Sequence, residues 1–246
     1  MKKIVLVLLL ILAPCYALDY GSYCPSNNAS KSIQGMFMSA SGINFTARKI
    51  AQKEIAKALL KETNSDFDVK VDTFWGVNIV DGEFKKFSAT AKNYLHDNFN
   101  AESLTIETVC PYNKVSYKDD KLHFDTDMIL KYNVLINQDN LSKMLKQKIQ
   151  IINNKVAFDY KVSVFGIKTT LSLKAGLAIK DNKIELCDIE FNNKSLKAGK
   201  YLSLLNELTS FNVDLNKTTK ANVKVDNVKI QNSKIYLSGF ALIPKG

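Results

Sequence analysis

The side chains able to do chemistry are few and far apart. His96 and His123 each stand alone among polar strand residues, whereas a zinc site needs a cluster such as His-Glu-x-x-His or paired Cys-x-x-Cys. Asp119-Asp120 and Asp125-Thr126-Asp127 offer neighbouring carboxylates, but neither run has the glycine and downstream glutamate of a calcium loop. Both read as solvated turns. The chain has no Gly-x-Ser-x-Gly elbow and no phosphate-cradling glycine loop, and Trp75 beside Gly76 reads as a core or lip aromatic. No catalytic residue, no metal ligand and no cofactor is expected, and the protein is not expected to be an enzyme.

The cysteines bear on compartment instead. Lys2 and Lys3, the apolar run Ile4 to Leu12 and the small residues of Cys15-Tyr16-Ala17 have the layout of a secretory signal peptide over 1–17, cut after Ala17. That run is too short to span a bilayer. Export is expected, to the periplasm or the extracellular face of the envelope; the alternative is a lipoprotein anchored through Cys15, with Leu12-Ala13-Pro14-Cys15 as a degenerate lipobox. In an oxidising compartment Cys24, Cys110 and Cys187 imply one disulfide and one leftover thiol. Of the three pairings, Cys24 with Cys110 is preferred, because each is followed by Pro and ends a segment. With four prolines and no Gly/Ser tract, 18–246 reads as a single domain.

Most of the chain alternates polar and apolar residues, and the longest such stretch is "IKTTLSLKAGLAIK", 167–180. Ile167, Leu171, Leu173, Leu177 and Ile179 take one face, and Lys168, Lys174 and Lys180 take the other. At 3.3 Å per residue this ribbon runs about 46 Å. Val156, Phe158, Tyr160 and Val162 share one face of a preceding strand, and Met128, Leu130, Tyr132, Val134 and Ile136 share one face of another. Asp81-Gly82, Asp119-Asp120, Asn153-Asn154, Phe165-Gly166, Asp181-Asn182 and Gln231-Asn232 mark short turns, hence antiparallel hairpins. Helical period is confined to 44–63, 137–149 and 195–208. In the first of these Ala47, Ile50, Ala51, Ile55, Ala58 and Leu59 form the apolar stripe; the second is capped by Asn137 or Asp139. The expected class is α+β, with one long curved antiparallel sheet wrapped around an N-terminal helix and two further short helices.

So long an apolar lining either closes into a packed core or lines an elongated cleft for an acyl chain. The charge is +10, and of 34 basic residues only Arg48 is arginine. Bidentate readout of phosphates and bases favours arginine, so nucleic acid is not the expected partner. An anionic membrane surface, met transiently by Lys168, Lys174 and Lys180 and by Lys197 and Lys200 at the start of the third helix, suits lysines.

Three segments carry a family likeness. "VDGEFKKFSATAKNYLHDNFNAESLTIETV", "ILKYNVLINQDNLSKMLKQ" with Asp139 and Leu141, and "YLSLLNEL" followed by "KIYLSGFALI" with Gly239 together resemble the LmeA-like bacterial phospholipid-binding proteins over roughly 66–243. The chain departs from that pattern in lacking a Pro over 209–222. The resemblance implies a fold akin to tubular lipid-binding proteins. It also implies an exported protein that acts on phospholipid or another acyl-chain lipid by binding or transfer, without covalent chemistry. In that reading Met128, Leu130, Val134, Val156, Phe158, Tyr160, Val162, Ile167, Leu171, Leu173, Leu177 and Ile179 line the groove. The alternative is an envelope interaction or scaffold protein with a fully packed interior.

Overall fold

The computed structural model describes residues 24, 29, 31–77, 79–96, 99–118, 121–164, 167–180, 183–191, 194–195 and 222–245. Segment 1–17 with Cys15, the turns Asp119-Asp120, Phe165-Gly166 and Asp181-Asn182, and all of the helix expected over 195–208, with Lys197 and Lys200, except Ser195, which is in a strand, lie outside them. The class is α+β, and every described strand pairing is antiparallel. No described helix is long and apolar enough to cross a membrane.

The strands form three sheets, where period alone predicts one. Strands β1 (Phe67–Asp72), β3 (Lys86–His96), β4 (Phe99–Thr108), β7 (Met128–Asn137), β13 (Asn222–Gln231) and β14 (Lys234–Ile243) make the largest, in the order β1-β3-β4-β7-β14-β13. A second runs β12-β11-β10-β9-β8, from β8 (Ile149–Ile152), β9 (Lys155–Val164), β10 (Ile167–Lys180), β11 (Lys183–Phe191) and β12 (Lys194–Ser195). A small third sheet joins β2 (Glu83–Phe84), β5 (Asn113–Lys118) and β6 (Lys121–Phe124). Hairpin turns follow the asparagines: Asn153 and Asn154, and Asn232 and Ser233, all take the left-handed conformation that a two-residue hairpin turn requires.

Alternation sets the core. In β7 the register puts Leu130 opposite Ala241, Tyr132 opposite Gly239 and Val134 opposite Leu237, and all these apolar side chains are buried. Leu104 and Ile106 of β4 and Phe67, Val69 and Val71 of β1 extend the same cluster, which continues into Ile149, Ile151 and Val156 of the second sheet. The Cys24–Cys110 disulfide ties the chain ahead of the helices to the end of β4, with Cα atoms 5.2 Å apart.

Three helices complete the described fold. Helix α1 (Ile33–Ala40) has no counterpart among the helical periods, because it places only Gly35 among the buried residues. Helix α2 (Ile43–Thr63) spans the expected segment but not the expected stripe: Ile50 and Ala58 are exposed, and Asn44, Leu59 and Thr63 are buried. It packs against β1, an edge strand of the large sheet, and touches β3. Helix α3 (Gln138–Leu145) begins with Asn137, whose side chain accepts from the Asn140 amide at 2.8 Å. It ends four residues early. Lys146 turns left-handed, the Gln147 amide donates to the Ser142 carbonyl, and Ile149 donates to the Ser142 hydroxyl as it enters β8.

Candidate functional site

The second sheet carries most of the residues expected to meet a ligand. Antiparallel partners share a face, so register decides which side chains stand together. Val156 lies opposite Ala175, Phe158 opposite Leu173, Tyr160 opposite Leu171, Val162 opposite Thr169 and Val164 opposite Ile167. Across β10, Phe191 lies opposite Leu173, Leu186 opposite Leu177 and Ile184 opposite Ile179. Among the described side chains one apolar face spans β8, β9, β10 and β11; Tyr160, Val162, Ile167 and Leu171 keep a register position, and their side chains lie outside the described ones.

Its exposure is graded along β10. Leu173 is 1% exposed and Ala175 fully buried, and Ala175 lies opposite Val156 of the core cluster. Beyond that point Leu177, Ile179 and Ile184 pack against the core but are only half-buried, as is Leu186; Phe191, beside Leu173, is half-buried too. Met128, Leu130 and Val134, expected in the same lining, lie on β7 of the other sheet, inside the closed core. Ile184, Leu186 and Phe191 were not expected in the lining. Their alternation is interrupted where Asp188 turns left-handed and the register slips opposite Ala175. Gly176 faces that bulge; a Cβ there would come within 2.9 Å of the Cys187 sulfur.

The opposite face is not the uniformly cationic one its lysines suggest. Lys174 stands opposite Glu190, and the Lys155 ammonium sits 2.9 Å from the Glu190 carboxylate and donates to the Asp188 carbonyl. Asp159 accepts from Ser172 at 2.8 Å, and Glu185 is paired with Ala178, two residues from exposed Lys180. Four carboxylates thus share the face of Lys174 and Lys180, while Lys168 keeps only its register position opposite Ser163.

Titration follows these pairs. The Lys155 hydrogen bond holds Glu190 below the usual carboxylate range, and the Lys234 hydrogen bond at 2.6 Å does the same for Glu102 on β4. Burial, then Asp188, pushes the Cys187 thiol up; burial, then Glu83, does so for the Tyr112 phenol. A depressed carboxylate stabilises the fold above its unfolded pKa and loses that contribution as pH falls through its folded value. A raised thiol or phenol loses its contribution as pH rises. The urea midpoint should therefore stay level near neutrality, fall below about pH 4.3, and fall again above about pH 8.5. The Glu102→Gln/Glu190→Gln variant should show a shallower acid limb; an unchanged acid limb would show that these pairs do not couple to folding.

Among the described residues no group of three or more His, Cys, Asp or Glu side chains could hold a metal ion. The arrangement offers apolar surface, a mixed-charge outer face and one half-buried thiol. No family model, no curated protein and no solved structure matches this chain, so the likeness to LmeA-like proteins rests on its own residues alone.

Proposed function

We propose that the protein is an exported envelope protein that binds an acyl-chain lipid, a phospholipid first of all, along the half-buried end of the second sheet. It holds or transfers that lipid without covalent chemistry. The supporting observation is the gradient on one continuous face, closed at Leu173 and Ala175 and half-open across Leu177, Ile179, Ile184 and Leu186. An acyl chain needs area and shape rather than a polar motif, and such a strip supplies both. In this reading the two larger sheets approximate a tubular lipid-binding shape, with segment 1–17 directing export.

The second reading is a scaffold with a packed interior, favoured by the deep burial of Met128, Leu130, Val134 and Val156 in one cluster and by the burial of Leu173. Native mass spectrometry of protein purified from a lipid-containing host separates the two. Lipid binding predicts an added phospholipid-sized mass, removed by organic extraction and missing from Leu177→Asp and Ile184→Asp variants that still melt cooperatively. A single apo mass that persists after incubation with liposomes selects the scaffold.

A further inference from the structure

The helical corner exposes more large apolar side chains than a packed surface requires. Ile33 is 89% exposed, Phe37 65% and Trp75 62%, with Ile43 and Phe45 also exposed. Ile33 and Phe37 lie one turn apart on α1, and α1 itself carries no charge. Scattered exposed apolar residues are ordinary, but a cluster of this kind on adjoining elements marks a contact surface.

The corner is a built scaffold rather than a loose end. Ser32 caps α1 through the Gly35 amide at 2.9 Å and donates its own amide to the Gly76 carbonyl. The Gly76 amide donates to the Ser39 hydroxyl. Asn44, buried at the head of α2, donates 2.8 Å bonds to the Ser39 hydroxyl and the Val77 carbonyl and accepts from the Ile79 amide. These bonds fasten α1, α2 and the segment carrying Trp75 into one unit, with the apolar side chains held outward.

Charge identifies the occupant. From residue 29 to 53 the chain carries Lys31, Arg48, Lys49 and Lys53 and no carboxylate, and 73–80 carries none either. The first acid on α2, Glu54, is already paired with Lys57 at 2.6 Å. Arg48 and Lys49 stand over the Phe45 ring, 5.1 and 4.5 Å from its centre, so cation and apolar ring are presented together. Apolar and tryptophan side chains with Arg48 and Lys49 beside them fit the headgroup boundary of an anionic bilayer, and the first acid on the packed segment beyond 80 is the exposed Asp81. The mixed charges around Lys174 and Lys180 do not.

We infer that the α1–α2 corner, with Trp75, docks the protein on anionic lipid bilayers. The inference stands apart from acyl-chain binding, and its test reads Trp75 rather than bound lipid. Trp75 is the chain's single tryptophan, so intrinsic fluorescence of the full chain reports this corner alone. Vesicles of phosphatidylglycerol with phosphatidylcholine should shift its emission to the blue and shield it from iodide; phosphatidylcholine alone should do neither. Phe37→Ser/Phe45→Ser should abolish the shift. Arg48→Gln/Lys49→Gln should weaken partition about 25-fold. Lys174→Gln/Lys180→Gln should leave it unchanged.

Several outcomes overturn the inference. One is co-flotation with an unmoved Trp75 spectrum, which puts docking elsewhere on the chain. Others are an equal shift on neutral vesicles, no vesicle binding, or a Trp75 already shielded without vesicles, which means that the chain's own N-terminal segment or a second copy covers the corner.

Discussion

Gly239→Ala should destabilise the protein by about 3 kcal/mol or more, lowering its melting temperature by about 6–12 °C. Gly239 lies in β14 opposite Tyr132, whose ring reaches across it so that the hydroxyl donates to the Lys224 carbonyl at 3.0 Å. A Cβ at 239 would stand 1.9 Å from that carbonyl oxygen and 2.5 Å from the Tyr132 hydroxyl. The first of these atoms is backbone in a paired strand, so relief requires moving β13 away from β14. Gly42→Ala is the control. Gly42 needs a positive φ of 77° but has nothing within 4 Å, so only the left-handed conformation is penalised, by about 1 kcal/mol. If Gly239→Ala melted no lower than Gly42→Ala, the close approach over β14 would be wrong.

Losing the Cys24–Cys110 disulfide should be comparable or larger. It closes a loop with a sequence separation of 86 residues. Chain-entropy reasoning for a loop of that length gives about 4.5 kcal/mol, a large share of the 5–15 kcal/mol typical of a whole domain. Cys110 is also buried, and its carbonyl accepts from the Asn113 side-chain amide, so the bond anchors the small third sheet as well as the helical corner. Cys110→Ser, Cys24→Ser and the double variant should share one lowered urea midpoint, because each removes the same single constraint. A midpoint that matched the parent, or additive losses in the double variant, would contradict the pairing.

How much of this was legible in the sequence depended on which force set each element. Met128 to Ile136 was read correctly face by face, because strict alternation leaves a half-buried strand only one register. The span of α2 was legible, but its buried face was not. Asn44 and Thr63 are buried because each satisfies its polar atoms internally, Thr63 by donating to the Leu59 carbonyl at 2.7 Å, and that displaces Ile50 and Ala58 outward. Helix α1 was invisible to a search for buried stripes, since its apolar residues face outward. The half-open strip was legible along β10, where alternation is unbroken. On β11 the bulge at Asp188 shifts the phase, and only the pairing itself brings Ile184 and Leu186 beside Ile179 and Leu177. The division into separate sheets was beyond sequence reading, because it depends on pairings between distant segments rather than on local period.

Strand order in the largest sheet also dictates an order of assembly. β1, β3, β4 and β7 enter nearly as the chain runs, each beside a strand already present. β14 then fills the place next to β7, bringing Lys234 to Glu102 across 132 residues, and β13 beside it brings the Lys224 carbonyl to the Tyr132 hydroxyl across 92. Closing so long a loop costs only about 0.6 kcal/mol per doubling of length, so the burden falls on time more than on stability. The local β13–β14 hairpin can form by itself and dock as a unit. Until it does, β7 presents a full row of unpaired amides and carbonyls, and the segment best matched to that row in a concentrated solution is β14 of another copy. Strand exchange between chains is the misfolding route that this topology invites, and it competes with native closure in proportion to protein concentration.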